Sequence, residues 1–227
     1  MAQANAIDVY LEVGQKRVFA CAVDWPGWSR SGRDDASALR ALLESAPRYA
    51  RVAEAAGLAL PIPCVEADLS VVERLEGDSG TDFGAPTAIP PSDLRPVDGA
   101  DLDRLERLLR ASWQVFDAAA ASAAGRELRK GPRGGGRSVA GIVEHVLGGE
   151  RGYLSRLGRN LKLDAADPRE ATARVREEVL AALDSAARGD LPARGPRGGA
   201  IWPARYFVRR AAWHLLDHAW EIEDRRE

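Results

Sequence analysis

The chain has three histidines, His145, His214 and His218, and their spacing is what first suggests chemistry. His214 and His218 stand four apart. On a helix that stacks them on one face about 6 Å apart, where two imidazoles reach one metal ion. His145, in a separate helical stretch, supplies a third nitrogen if the two helices face each other. A fourth position is then left for water or substrate, the pattern of catalytic zinc sites. Three imidazoles plus water suit borderline ions, so zinc or nickel is favoured over magnesium or calcium. The plainer reading makes each histidine a hydrogen-bonded core or surface residue. HxxxH alone is a weak motif, and the fit of all three histidines to one site is what favours metal.

The neighbours of the histidines extend the pattern. Asp217 and Glu221 follow His214 by three and seven, on the face where carboxylates orient imidazoles or accept protons. Arg210, one turn earlier on that face, is placed to hold a substrate carboxylate or to be a solvated helix charge. These three are the candidate catalytic residues. Gly141, Gly148, Gly149 and Gly152 lie at −4, +3, +4 and +7 from His145, on the face that His145 occupies. Each mid-helix glycine costs up to about 1 kcal/mol relative to alanine, so this face implies either a ligand pocket or a close helix approach. Trp213 and Trp220, seven apart on another face, read as bundle core. Cys21 and Cys64 lack CxxC spacing and are expected to be reduced, partly buried thiols.

The elements that position these residues fall into two halves. Ile7, Val9, Leu11 and Val13 alternate with Asp8, Tyr10 and Glu12, the period of a half-buried strand. Gly14-Gln15 turns the chain into an antiparallel partner over 17–23. Asp24-Trp25-Pro26-Gly27 is turn chemistry, followed by a short extended piece to Ser31. A helix capped by Asp34 or Asp35 carries Leu39, Leu42, Leu43, Ala46 and Ala50, with Pro47 set to kink or break it. Another strand is expected over 65–76. Residues 77–97, rich in glycine and proline, predict a linker without helix or central strand.

Beyond the linker the period becomes helical. Leu102, Leu105, Leu109, Ser112 and Phe116 form one stripe; Val139, Ile142, Val146 and Leu157 contribute to a second; Val175, Val179, Leu183 and Ala187 form a third. Asp167-Pro168 caps the third helix, and a fourth runs from near Pro203 to about Glu223. The predicted class is α+β: a small antiparallel sheet with one helix over 1–76, a linker over 77–97, and an up-down four-helix bundle over 98–227.

Composition narrows the function classes. The formal net charge of −2 argues against non-specific nucleic-acid or membrane-surface binding as the main role of the chain. GPRGG occurs at 131–135 and 195–199, either as flexible connectors or as an anion site made of backbone N–H groups and arginine. Neither copy fits a phosphate-binding loop, and GxSxG is absent. No apolar run has the length of a membrane helix, and the first ten residues lack a signal pattern, so a cytoplasmic location is expected.

The histidine spacing and the segment HVLGGERGYL resemble the DinB-like superfamily over about 98–227. Its metal triad is one histidine in the second bundle helix and an HxxxH pair in the fourth, positions matched by His145, His214 and His218. That resemblance implies a divalent metal. It also implies thiol-dependent transfer or isomerisation with a small bacterial thiol as cosubstrate, as in some members. Residues 7–76 are similar to HicB-like domains through the hairpin, the DWPGW turn, a strand ending in Ser-Gly and the following helix. HicB proteins bind a small toxin partner, but here a helical bundle replaces their usual DNA-binding element.

Two functional expectations follow. One is a metal-dependent enzyme, a mycothiol-type S-transferase acting on a small electrophile, with metal-assisted hydrolysis behind it. The alternative is a non-catalytic, metal-stabilised interaction module whose HicB-like half recruits a protein partner. A small-molecule substrate, a homodimer and a small protein partner are the contacts expected, and nucleic acid and membrane are not.

Overall fold

β1 (Ile7–Val13) and β2 (Val18–Ala22) form the expected hairpin, with Val13 opposite Val18 and Val9 opposite Ala22. Its turn closes where the Gly14 N–H donates to the Arg17 carbonyl at 2.9 Å. β3 (Ser29–Gly32) lies antiparallel to β2. In the turn between them, Trp25 to Trp28 are buried and belong to the core. Gly27 takes φ +90°, a left-handed conformation that favours glycine. Trp28 is fully buried and donates its indole N–H to Ser45 at 2.9 Å. The Tyr49 ring stacks on Trp28 at 5.2 Å, and its hydroxyl donates to the Pro26 carbonyl at 2.8 Å.

The computed structural model describes residues 6–63, 65–130, 136–162, 167–196 and 198–226. Cys64, the first GPRGG and one residue of the second lie outside them, whereas Cys21 is a buried free thiol. α1 (Asp35–Glu44) starts at Asp34, whose carboxylate accepts from the Ser37 N–H at 2.8 Å. Ser45 separates it from α2 (Ala46–Ala55), which has Pro47 in its first turn. Proline is tolerated there because first-turn N–H groups have no helical partner.

β4 (Leu69–Glu76) then pairs parallel with β1, giving the order β3-β2-β1-β4. The sheet is mixed, which corrects the expectation of an antiparallel one. The crossover through α1 and α2 is long enough to return the chain in the direction of β1, as a tight hairpin cannot.

The glycine- and proline-rich stretch contains a five-residue helix, α3 (Ser79–Phe83), where composition predicted none. Asp78 caps it by accepting from the N–H groups of Gly80 at 2.7 Å and Thr81 at 3.2 Å, and Gly84 ends it at φ +119°. This stretch is fastened to the sheet. Glu12 is wholly buried and accepts from the Thr81 hydroxyl at 2.5 Å and from the N–H groups of Thr87 at 2.8 Å and Ala88 at 3.0 Å. The Lys16 N–H donates to Asp82 at 2.8 Å. The chain divides into two compact units, Met1–Arg95 and Pro96–Glu227.

The second unit consists of α4 (Gly99–Ser122), α5 (Val139–Leu154), α6 (Pro168–Ala187) and α7 (Ala204–Arg225). Its core contains most of the predicted stripes, Leu105, Leu109 and Phe116 from α4, Ile142 and Val146 from α5, and Val175, Val179 and Leu183 from α6, whereas Leu102, Val139 and Ala187 are half-buried. α7 is apolar around most of its surface and buries Phe207, Leu215, Leu216 and Trp220 among them. α7 packs chiefly on α4 and also on α5, which sets the histidine-bearing helices side by side. No helix among the described residues is long and apolar enough to cross a membrane.

Candidate metal centre

α5 begins at Ser138, whose hydroxyl accepts from the Gly141 N–H at 3.2 Å, and carries His145 two turns in. His214 and His218 project from the middle of α7 and are both buried. Nε2 of His214 lies 3.2 Å from Nε2 of His145. The three rings meet edge to face, with centroids 5.0, 4.9 and 4.8 Å apart. One nitrogen from each falls within 4.8 Å of the others. Nδ1 of His218 is engaged at 2.8 Å by Glu221, which leaves Nε2 of that ring for the cluster.

The donor set fits a metal ion. Metal–nitrogen bonds of about 2.0–2.1 Å place neighbouring ligands of a tetrahedral site roughly 3.3–3.4 Å apart, and the His145–His214 separation of 3.2 Å is close to that edge. The electrostatics favour the ligating, neutral form of His214 and His145. Burial, aided by His218 and Arg210, pushes His214 down to about 2. Burial and the Arg137 charge also lower His145. A neutral imidazole is what a metal requires.

A second layer holds the first. The Glu221 carboxylate sits below its ordinary range because it is hydrogen-bonded to His218 and also to Arg225, whose guanidinium reaches it at 2.5 Å. Arg225 in turn donates from Nε to the Arg129 carbonyl at 2.8 Å and from Nη2 to the Arg137 carbonyl at 3.1 Å. The end of α7 is thereby tied to the chain entering α5. Carboxylate–histidine pairs of this kind fix the ring and its tautomer.

On the glycine face of α5, the expected close helix approach is found at Gly149. A Cβ on Gly149 would lie 2.6 Å from Cε1 of His214, so glycine there permits the close approach of the two helices. A Cβ on Gly148 or Gly152 would meet nothing within 4 Å among the described residues, and the two line a hollow of about 200 Å³ together with Arg151, Ser155 and Asn160. A Cβ on Gly141 would have the side chains of Ser138 and Arg137 as its nearest neighbours, at 3.4 and 3.5 Å.

Of the other sequence candidates, Arg210 lies against the cluster. Its guanidinium is 4.5 Å from the Trp213 ring centroid and 5.5 Å from that of Tyr153, and Nη1 is buried without a hydrogen-bond partner among the described residues. Nδ1 of His214 is in the same condition. Asp217 is half-buried on α7, and Glu221 contacts Nδ1 of His218. Trp213 and Trp220 are core, as expected.

The sequence reading missed Tyr153, whose ring lies 5.7 Å from that of His214, and Arg225. Both had a signal. Tyr153 is four residues beyond Gly149, and Arg225 is four beyond Glu221, each on the face of its predecessor.

The second unit sets four long helices around a three-histidine cluster that could hold a metal ion. Residues 108–222 match the family model of the DinB superfamily, a span that contains all three histidines and half of the chain. The chain belongs to that superfamily. Searches of curated proteins and of solved structures found no match.

Proposed function

We propose that this protein is a metal-dependent S-transferase that joins a small thiol of the mycothiol type to a small electrophile. His145, His214 and His218 would hold a divalent ion, with zinc or nickel favoured by the donor set. Such an ion, when bound, supplies the positive charge that brings the pKa of a thiol toward neutrality. The observation that carries this reading is the approach of two Nε2 atoms to 3.2 Å inside a three-histidine cluster.

The protein's own groups have distinct tasks. Glu221, with one oxygen on His218 and the other on Arg225, positions the ring. Asp217 is the carboxylate assigned to receive the thiol proton. Arg210, a cation with an unpartnered buried N–H, is suited to hold an anionic group of the substrate. The hollow beside Gly148 and Gly152 provides space for part of a cosubstrate.

Elemental analysis of the purified protein should give one divalent ion per chain, lost in His214→Ala. Conjugation of an epoxide or chlorinated substrate with mycothiol should be fast in the wild type and near background in His145→Ala. Retention of stoichiometric metal by His214→Ala would refute the site, and equal conjugation rates would refute the reaction.

The second reading, a metal-stabilised interaction module, is favoured by one observation. The large apolar side chains exposed among the described residues all lie in the first unit, including Ile62, Val65, Val72 and Phe83, and β4, which bears Val72, is an edge strand. The hairpin, turn, Ser-Gly strand and helix of the HicB-like resemblance are present in that unit in the same order. Capture of a small protein partner by a wild type that also lacks transferase activity would put this reading first.

A further inference from the structure

A second cavity lies around α5 from the histidines. Glu150 follows His145 by five residues, which turns it roughly 140° around the helix. Phe116, Ala120, Val143, Val146 and Leu147 wall a groove of about 490 Å³, closed on the α6 side by Thr172 and Ala173, and Glu150 lines it. That volume falls within the range of small-molecule sites, about 300–1,000 Å³, which are mostly apolar with a few convergent polar groups.

The polar group here is unusual. Glu150 is only 4% exposed. Among the described residues it has one hydrogen bond, from the Trp113 indole N–H at 2.5 Å. A carboxylate has about four acceptor positions, so most of its capacity is unmet by protein. The neighbouring charges do not supply the deficit. Arg176 is bonded through both terminal nitrogens to Asp117, at 2.6 and 2.8 Å, and its guanidinium lies over Trp113. The Nε of Arg176 is buried without a hydrogen-bond partner among the described residues and makes no hydrogen bond to Glu150. Arg169, the other cation of the lining, is exposed at the start of α6. The groove thus presents the Glu150 carboxyl and the Arg176–Asp117 pair among apolar walls.

We infer that this groove is a binding site for a small hydrophobic amine, with the ammonium on Glu150 and the apolar body against Phe116, Val143 and Leu147. An ammonium brings the donors that Glu150 lacks and the opposite charge, while the hydrocarbon portion replaces water along the walls. Glu150 is pushed upward by burial, offset in part by Arg176 and by the Trp113 N–H, while Asp117 adds to the rise. A cationic ligand would relieve that strain on the ionised form.

The test is calorimetric titration of the full-length protein at pH 8 with phenethylamine and with 2-phenylethanol, which has the same apolar body without the charge. The amine is expected to saturate one site, with the alcohol at least tenfold weaker. Glu150→Gln keeps an acceptor for Trp113 and removes the charge, and should bring the amine down to the affinity of the alcohol. Ala173→Leu, at an exposed position of the groove wall, should weaken both ligands without disturbing the fold. Equal binding of the two ligands by the wild type, undiminished amine binding by Glu150→Gln, or no saturable amine binding would each overturn the inference.

Discussion

Replacement of Glu150 by glutamine should stabilise the second unit, and by an amount that depends on pH. Burial raises the Glu150 carboxyl from 4.5 to about 7, with Arg176 and Trp113 offsetting only part of the cost. The folded state therefore holds a proton that the unfolded chain releases between those values. Stability contributed by this group is complete below pH 4.5 and is lost as pH rises through about 7. A shift of this size corresponds to about 3 kcal/mol once the group is ionised in both states. Glutamine carries no charge at any pH and retains a carbonyl oxygen for the Trp113 N–H. The stability difference, Glu150→Gln minus wild type, should then be small at pH 5 and grow by about 2 kcal/mol by pH 8. Urea denaturation followed by far-ultraviolet circular dichroism, with chelator present throughout so that the histidines bind no metal, measures it directly. Contributions of other titrating groups cancel in the difference. A difference that is the same at both pH values, or a glutamine variant less stable than wild type at pH 8, would refute the reasoning.

Three further outcomes are expected. Gly149→Ala should weaken metal binding by displacing the His214 ring, which its Cβ would approach to 2.6 Å, whereas Gly148→Ala and Gly152→Ala enter open space and should raise stability by about 0.5–1 kcal/mol each; metal titrations and thermal melts of the three variants separate the two effects. Glu221→Gln should lower metal affinity about 10- to 100-fold by loosening the hold on His218, read by competition with a chromophoric chelator, with little change in helicity. Glu12→Ala leaves the N–H groups of Thr87 and Ala88 without their acceptor at a cost of about 1–3 kcal/mol, and brief proteolysis of that variant should cut between Gly77 and Pro90, where wild type resists.

The parts of the molecule that were legible in the sequence are those governed by local periodicity. The alternation from Ile7 to Val13 is a strand, the caps at Asp34 and Asp167 open helices, and two histidines four apart on a long apolar helix do share a site with the only other histidine. What sequence pattern does not encode is which distant segment covers a given face. The parallel pairing of β4 with β1 depends on the path of two intervening helices, and alternation reads the same in either direction. The HVLGGERGYL segment was read for its histidine and glycines. Its glutamate is enclosed by Trp113 and Phe116 of α4 and Thr172 of α6, neighbours that periodicity within α5 does not encode.

Glu12 and Glu150 make the same point from opposite sides, and the comparison separates a structural acid from a candidate ligand site. Glu12 occupies a position that alternation assigns to the polar side of β1, Glu150 lies one turn beyond Val146 on the apolar stripe of α5, and both are buried. Glu12 receives a hydroxyl and two backbone N–H groups from the segment folded over it, so its charge is accommodated by the chain and its work is to fasten that segment. Glu150 receives one indole N–H and faces a cavity instead of a closed shell. Burying a carboxylate with so little compensation is costly, and apolar residues would fill the same groove with less penalty. A sequence that retains the acid there leaves a hydrogen-bonding demand that something other than the described chain must meet, and a hydrophobic ammonium meets both the demand for donors and the shape of the walls.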